Sequence, residues 1–451
     1  MEKSWYNLQY VSSRYRLHRP EMWQERLVVW GGAALSALVI VGFVRLTDVA
    51  LGRLVWVQSH HFWFSLLLPP LGGMLIVYLA RRFFAGCEGS GIPQVIACLS
   101  EHHREKPYQV VSLRVAFGKI MLGALAMLCG FSTGREGPCV QVSASMMLAS
   151  EHLLPARSRV SANELLLAGG AAGIAAAFNT PLAGIIFAIE ELARRFEQRT
   201  HAVLLTAIVI AGMVSISFQG NYLYFGHLVV HLLSISLVVP VLVCAVVTGI
   251  AGGLFSVSLL WTGRTFPQLH RVRRDHPVQF AALTGLGMSL LCLLSHGNAS
   301  GSGYDVTRTM LMGGPDVAWY YAPFKWMATV LSFHSGVPGG IFAPSLAVGA
   351  GIGQDLQGLL GSADAQSTIY ALCMAGFLAA VTQSPITSTI IVMEMIDGHQ
   401  LVISLVAVTM LASIISRGFS PSLYHELSHR YELKGPAHRK EEPVDVEGTA
   451  A

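Results

Sequence analysis

Three short stretches of this chain place glycine and proline just ahead of an apolar run: Gly89-Ser90-Gly91-Ile92-Pro93, Gly134-Arg135-Glu136-Gly137-Pro138 and Gly339-Gly340-Ile341-Phe342-Ala343-Pro344. Each reads as a helix start, because proline in a first turn costs no hydrogen bond and glycine lets the backbone come close to a ligand. A helix start offers free backbone N–H groups and about half a positive charge. That can hold an anion without the grip of a full lysine or arginine charge, so three such starts converging on one point would make an anion site. Glu136 lies inside the second stretch. A carboxylate there is stabilised by the same dipole that would stabilise an anion; it can occupy the anion's place and, once protonated, lose that attraction and swing aside. A simple charge interaction with the helix end is the plainer alternative, but an acidic residue within a membrane helix is costly enough to point to function. Further on, His425-Glu426-Leu427-Ser428-His429 fits the HExxH pattern of zinc hydrolases, in which two histidines one helical turn apart bind metal and the glutamate activates water. An intramembrane zinc protease is the function that pattern would imply, but no third ligand follows it in the short tail.

The elements that must position these residues are unusual in composition. The 451 residues are 53% hydrophobic and only 12% charged, with a mean hydropathy of +0.53, and a water-soluble fold would leave too much apolar surface uncovered. Apolar runs recur at Leu27 to Leu46, Phe62 to Ala80, Val115 to Phe131, Ala202 to Phe218, Leu232 to Trp261, Phe280 to Leu294 and Leu401 to Ser416. Several reach the roughly 20 residues that cross a hydrocarbon layer of about 30 Å. Val140 to Ala149 and Ile386 to Ile396 are too short to span and are flanked by Gly and Pro, as in the broken helices that line protected paths. No secretory leader is expected, because the first apolar run follows a basic, aromatic segment and continues as a full span. Arg14, Arg19 and Arg26 precede the first span, and Arg417, Arg430, Lys434, Arg439 and Lys440 follow the last. Both termini are therefore expected in the cytoplasm, with an even number of full crossings. The net charge of +4 reflects this bias, and no basic patch interleaved with aromatics suggests nucleic acid. The seven cysteines, Cys98, Cys129, Cys244, Cys292 and Cys373 among them, lack CxxC spacing and read as buried free thiols.

Three features occur twice in the same order. Gly89-Ser90-Gly91 matches Gly301-Ser302-Gly303, Gly134 to Pro138 matches Gly340 to Pro344, and the run from Gly173 to Glu191 matches that from Gly376 to Met395. Small residues are common in membrane helices, but agreement of order and offset together implies duplication. Repeats of this kind frequently form inverted-topology transporters with the ion site at the repeat interface. The expected organisation is a cytoplasmic segment over 1–26, a membrane domain over 27–431 with repeats near 27–218 and 232–431, and a short tail over 432–451 with no regulatory domain.

GSGIP at 89–93, GREGP at 134–138 and GGIFAP at 339–344 resemble, together and in order, the three selectivity signatures of the CLC chloride channel and transporter family. A fourth match, Pro421-Ser422-Leu423-Tyr424, resembles the tyrosine at the start of that family's last helix. The resemblance runs from about Val28 to Tyr431. It implies an all-α integral membrane protein of broken and re-entrant helices, a homodimer in the bilayer with one anion path per subunit. It implies chloride and protons as the transported species, no cofactor and no metal. It also implies a bacterial inner-membrane protein, because the long cytoplasmic nucleotide-binding tails of eukaryotic relatives are missing.

By the same resemblance, Ser90 and Tyr424 would offer hydroxyl hydrogens to a central chloride, and the backbone N–H groups of Ile341 and Phe342 would complete its shell. The plainer readings are a helix N-cap for Ser90 and an interfacial aromatic for Tyr424. Gly89, Gly91, Pro93, Gly134, Arg135, Gly137, Pro138, Gly340 and Pro344 would shape the loops, with Arg135 as electrostatic support. Glu136 would be gate and external proton carrier, and Glu191 the internal one, which separates exchangers from channels. Glu190 and Glu191 are adjacent, so on a helix they point about 100° apart and one can face solvent while the other enters the protein. The alternative pairs both with Arg194 and Arg195 as surface charges. Gln94 and Ile96 stand where the better-known bacterial exchangers carry acidic residues. Ser90 argues against nitrate-selecting relatives, which tend to carry proline there, and against fluoride-exporting ones, which depart from this loop and from GREGP.

Overall fold

The computed structural model describes residues 20–100, 110–193, 201–220, 223–227, 238–261, 267–360 and 366–432, so Arg14, Arg19, Arg194, Arg195, Lys434, Arg439 and Lys440 lie outside the described residues. Apart from two isolated β-bridges, the regular structure described is helical. The first half runs α1 Pro20–His60, α2 Leu68–Phe83, α3 Ile92–Leu99, α4 Leu113–Leu128, α5 Glu136–Ala149, α6 Ala162–Phe178, α7 Pro181–Phe187 and α8 His201–Gln219. The second runs α9 Val238–Leu260, α10 Pro267–Asp275, α11 Pro277–Leu294, α12 Tyr304–Leu311, α13 Tyr321–Ser335, α14 Phe342–Leu360, α15 Gln366–Thr382, α16 Pro385–Ile396, α17 Val402–Arg417 and α18 Leu423–Glu432. Among the described residues, six stretches are long and apolar enough to cross a membrane by length and composition. Their outer faces expose large apolar side chains such as Leu35, Met213, Ile250, Leu286 and Ile414, while α5, α6 and α15 are buried almost throughout. That is the pattern of a multi-pass membrane protein, with lipid-facing helices around shorter helices that never meet lipid. All seven cysteines are free and buried.

The duplication is visible in local geometry. Gly89 and Gly91 both have positive φ, 68° and 107°, as do their counterparts Gly301 and Gly303, 66° and 84°. Lys119 on α4 is fully buried and donates to the carbonyls of Cys87 and Gly89 at 2.8 and 2.7 Å. Lys325, at the matching place on α13, donates to those of Ala299 and Gly301 at 3.1 and 2.6 Å. Each lysine thus ties down one Gly-Ser-Gly loop by satisfying carbonyls that no helix bond reaches. Asn179 and Gln383, the residues that end α6 and α15, both turn left-handed, at φ 59° and 60°. The carboxylate of Glu190 accepts from the backbone N–H groups of Ile386 and Thr387 at 3.2 and 2.6 Å, capping α16. In return Glu394, on α16, accepts from the N–H of Ala183 at 2.8 Å and caps α7. Each half therefore neutralises a helix end of the other.

Helices α5 and α6 pack against each other as α14 and α15 do, and glycine permits the approach. A Cβ on Gly349 of α14 would lie 2.7 Å from both the carbonyl oxygen of Cys373 and the Cα of Met374. Gly349→Ala must push these helices apart, and it is expected to cost about 1–3 kcal/mol. Thermal unfolding in detergent, followed by loss of the monodisperse species, should show a clearly lower midpoint. An unchanged midpoint would mean that this interface is not close-packed.

Candidate anion and proton site

The three Gly/Pro loops predicted to open helices do so, and they meet. Gly134 and Gly340 exchange both backbone hydrogen bonds, each N–H donating to the other's carbonyl at 2.7 Å. Gly89 pairs with the 337–339 segment through its N–H to Val337 at 3.3 Å and its carbonyl to the N–H of Gly339 at 3.0 Å. The loops press closely enough that a Cβ on Gly91 would lie 2.7 Å from the carbonyl oxygen of Gly137, and one on Gly137 would lie 2.8 Å from that of Ser90. Only glycine fits at either place. The first turns of α3, α5 and α14 are thereby brought together.

Glu136 is the first residue of α5 and is fully buried. Its carboxylate folds back among the loops, close to the N–H groups of Ala343 in the first turn of α14 and of its own residue. Oε1 accepts from the hydroxyl of Tyr224 at 3.3 Å, while Oε2 makes no well-formed hydrogen bond among the described residues. Arg135 turns away. Its Nη1 donates to Val44 O at 3.2 Å and Thr47 Oγ1 at 3.1 Å and pairs with Asp48, which fastens the loop to α1.

Ser90 does not cap a helix, so the N-cap alternative fails: Gly91 is the N-cap of α3, and the side chain of Gln94 receives its N–H at 3.0 Å. Ser90 Oγ and Tyr424 OH are buried and near one another, yet neither completes a well-formed hydrogen bond among the described residues. The interfacial alternative for Tyr424 fails as well, because the ring is fully buried and stacks on Phe342 at 5.9 Å with 12° between planes. Two hydroxyls, the first turn of α14 and a carboxylate that lies among backbone N–H groups make a pocket of donors without a cation in it. Such a pocket suits a monovalent anion. Tyr424 is close enough to both Glu136 and Glu191 to feel each electrostatically.

Glu191 is 1% exposed and accepts a hydrogen bond from Ser384 Oγ. Its neighbour Glu190 is half-buried and spends its oxygens on α16. Both lie in a π segment over Ala188–Ala193, a wider turn of the kind that recurs at functional sites. Gln94 bridges its own loop, donating to Glu88 O at 2.6 Å, and Ile96 is part of the core. Below Ser90 opens a cavity of about 390 Å³ whose wall includes Arg81, Arg273, Arg274 and Arg430. His425, Glu426 and His429 line a separate cavity with Glu190 and Arg417. Among the described residues no group of three or more His, Cys, Asp or Glu is arranged to hold a metal ion.

Sequence reasoning missed Tyr224 and Asp48, which sit in no repeated motif, and Ser384, which lies within the repeated run from Gly376 to Met395 but was given no role. It also passed over Lys119 and Lys325, although two lone cations at matching places in apolar runs were a readable signal.

A family model described as voltage gated chloride channel matches residues 72–417. Curated relatives include the H(+)/Cl(-) exchange transporter ClcA of Salmonella arizonae and that of Salmonella newport, each 28% identical over 399 residues that cover 85% of this chain and 83% of the relative. Among solved structures, a slow cyanobacterial Cl-/H+ antiporter superposes with a TM-score of 0.78 at 21% identity, covering 90% of this chain and 98% of that one. A CLC-type fluoride/proton antiporter gives 0.72 at 25% identity, covering 89% and 96%.

Proposed function

The chain belongs to the voltage gated chloride channel family, and on that premise we propose that it exchanges chloride for protons across a bacterial inner membrane, as a homodimer with both termini in the cytoplasm. The observation that carries this reading is the Glu136 carboxylate, buried among the three loops where an anion would be held. Chloride enters from the cytoplasm through the arginine-lined mouth, whose positive field concentrates anions. It is then held by the hydroxyls of Ser90 and Tyr424 and by the backbone N–H groups of Ile341 and Phe342. It moves outward when Glu136 takes a proton from outside, gives up its place and swings aside. The proton continues inward to Glu191. The two halves, with their reciprocal caps and the Gly134 to Gly340 pair, are arranged as inverted repeats about this path.

The orientation rests on the arginines that flank the first and last spans, Arg26 before and Arg417 and Arg430 after, of which Arg430 also lines the mouth. Glu191 favours an exchanger over a channel-type relative. Chloride is favoured over fluoride by Ser90 and by GREGP at 134–138, and bromide and nitrate should be accepted, because neutral donors discriminate loosely among monovalent anions. Liposomes holding the purified protein should pass chloride several-fold faster than fluoride or sulfate. A chloride gradient should also drive protons uphill, read with a pH-sensitive dye. Fluoride moving faster than chloride would overturn the substrate, and chloride flux with no uphill proton movement would favour the channel.

A further inference from the structure

Tyr224 belongs to no motif and no helix, yet its ring is buried and its hydroxyl reaches the most consequential carboxylate in the protein. The ring is clamped on every side. Phe178 lies edge-on at 5.5 Å, Phe225 at 4.9 Å and Tyr304 at 4.8 Å between centroids, and the guanidinium of Arg135 stands 6.0 Å from its centre. The short segment that carries it, residues 223–227, is fastened to the end of α16 at two points. The Phe225 N–H donates to the carbonyl of Met395 at 3.0 Å, and His227 Nδ1 lies 3.0 Å from Asp397 Oδ2. Asp397 ends α16 in left-handed backbone, φ 53°, and its other oxygen faces His399 Nε2 at 3.4 Å.

We infer that Tyr224 is a positioning residue for Glu136: its hydroxyl holds the carboxylate in the anion's place, and the fastening to Met395 and Asp397 holds the tyrosine. This rests on the reading that Glu136 competes with chloride for one site. The phenol donates to the carboxylate, so it strengthens the anion's competitor in that place. The gate is then tuned from the second half of the chain, through a loop rather than through the loops that bind the anion.

Chloride binding to the purified protein, measured by calorimetry, tests this. Tyr224→Phe keeps the ring and its packing and removes only the donor. Near neutral pH it should tighten apparent chloride affinity about three- to tenfold, the worth of one modest hydrogen bond to a charged group. In a Glu136→Gln background the same change should have no effect. At acid pH, with the carboxylate protonated, wild type and Tyr224→Phe should converge; the other titratable or charged groups facing it are Arg135, Cys139 and Tyr424. Asp397→Asn suits the left-handed backbone and loosens the fastening to His227, so it should shift affinity in the same direction by less. It provides the test if Tyr224→Phe does not fold. Unchanged affinity in both variants, or an equal change with and without Glu136, would overturn the inference. A Glu136→Gln protein that binds chloride no more tightly than wild type would overturn the competition itself, a distinct failure.

Discussion

Glu136→Gln is expected to leave chloride flux running and to abolish proton transport. The amide matches the carboxylate in size, so the loops that press on it, Gly134 and the first turn of α14, need not move. What changes is the charge. A neutral side chain gains little from the N–H groups and partial positive charge of α5 and α14, an interaction of up to about 2 kcal/mol for a carboxylate in a partly buried setting. Chloride no longer has to displace it, and apparent chloride affinity should rise roughly tenfold or more. An amide also cannot carry a proton through the cycle. In liposomes with a chloride gradient, flux should persist with its pH dependence flattened, and the dye signal for uphill protons should fall to background. A folded Glu136→Gln protein that passes no chloride would mean that the carboxylate is part of the anion's shell rather than its competitor.

The second large effect is expected from Glu191→Gln. This carboxylate is buried and held by Ser384, while the helix-capping role belongs to its neighbour Glu190. Removing its charge therefore leaves both reciprocal caps in place and should cost little stability. Chloride flux should continue at a rate comparable to wild type, because nothing in the first turns of α5 or α14 depends on Glu191. Uphill proton movement should be lost. Ser384→Ala removes one donor and leaves the acid, so coupling should weaken without vanishing. If Glu191→Gln still pumps protons against their gradient, the internal carrier lies elsewhere, and Glu190 is the next residue to change.

How far these sites could be read from sequence depended on whether backbone or side chain carried the information. The three Gly/Pro loops were legible because they state a backbone requirement in residue type: Gly91 and Gly137 sit where a Cβ would strike another loop. The helical membrane fold followed from composition, and the duplication from Gly-Ser-Gly and the paired loops. Ser90 looked like a cap because serine so often is one, but Gly91 and Gln94 close that helix instead. Helical spacing separated Glu190 from Glu191 in direction, yet it could not supply the π turn or the partner Ser384, 193 residues further along the chain. Tyr224 gave no signal at all. Its position is set by rings on two other segments, Phe178 and Tyr304, and by the end of α16, contacts that no local pattern encodes.

The mutual pairing of Gly134 and Gly340 also bears on how the protein is made. Until the ribosome has passed Gly340, the loop at Gly134 has no partner, α7 lacks the carboxylate of Glu394 at its N-terminus, and α5 faces an empty groove where α14 will lie. A chain half-inserted in the membrane thus has no anion path to leak through. Contacts this distant in sequence carry a large loop-closure cost, so assembly of the anion path waits on the arrival of the second half.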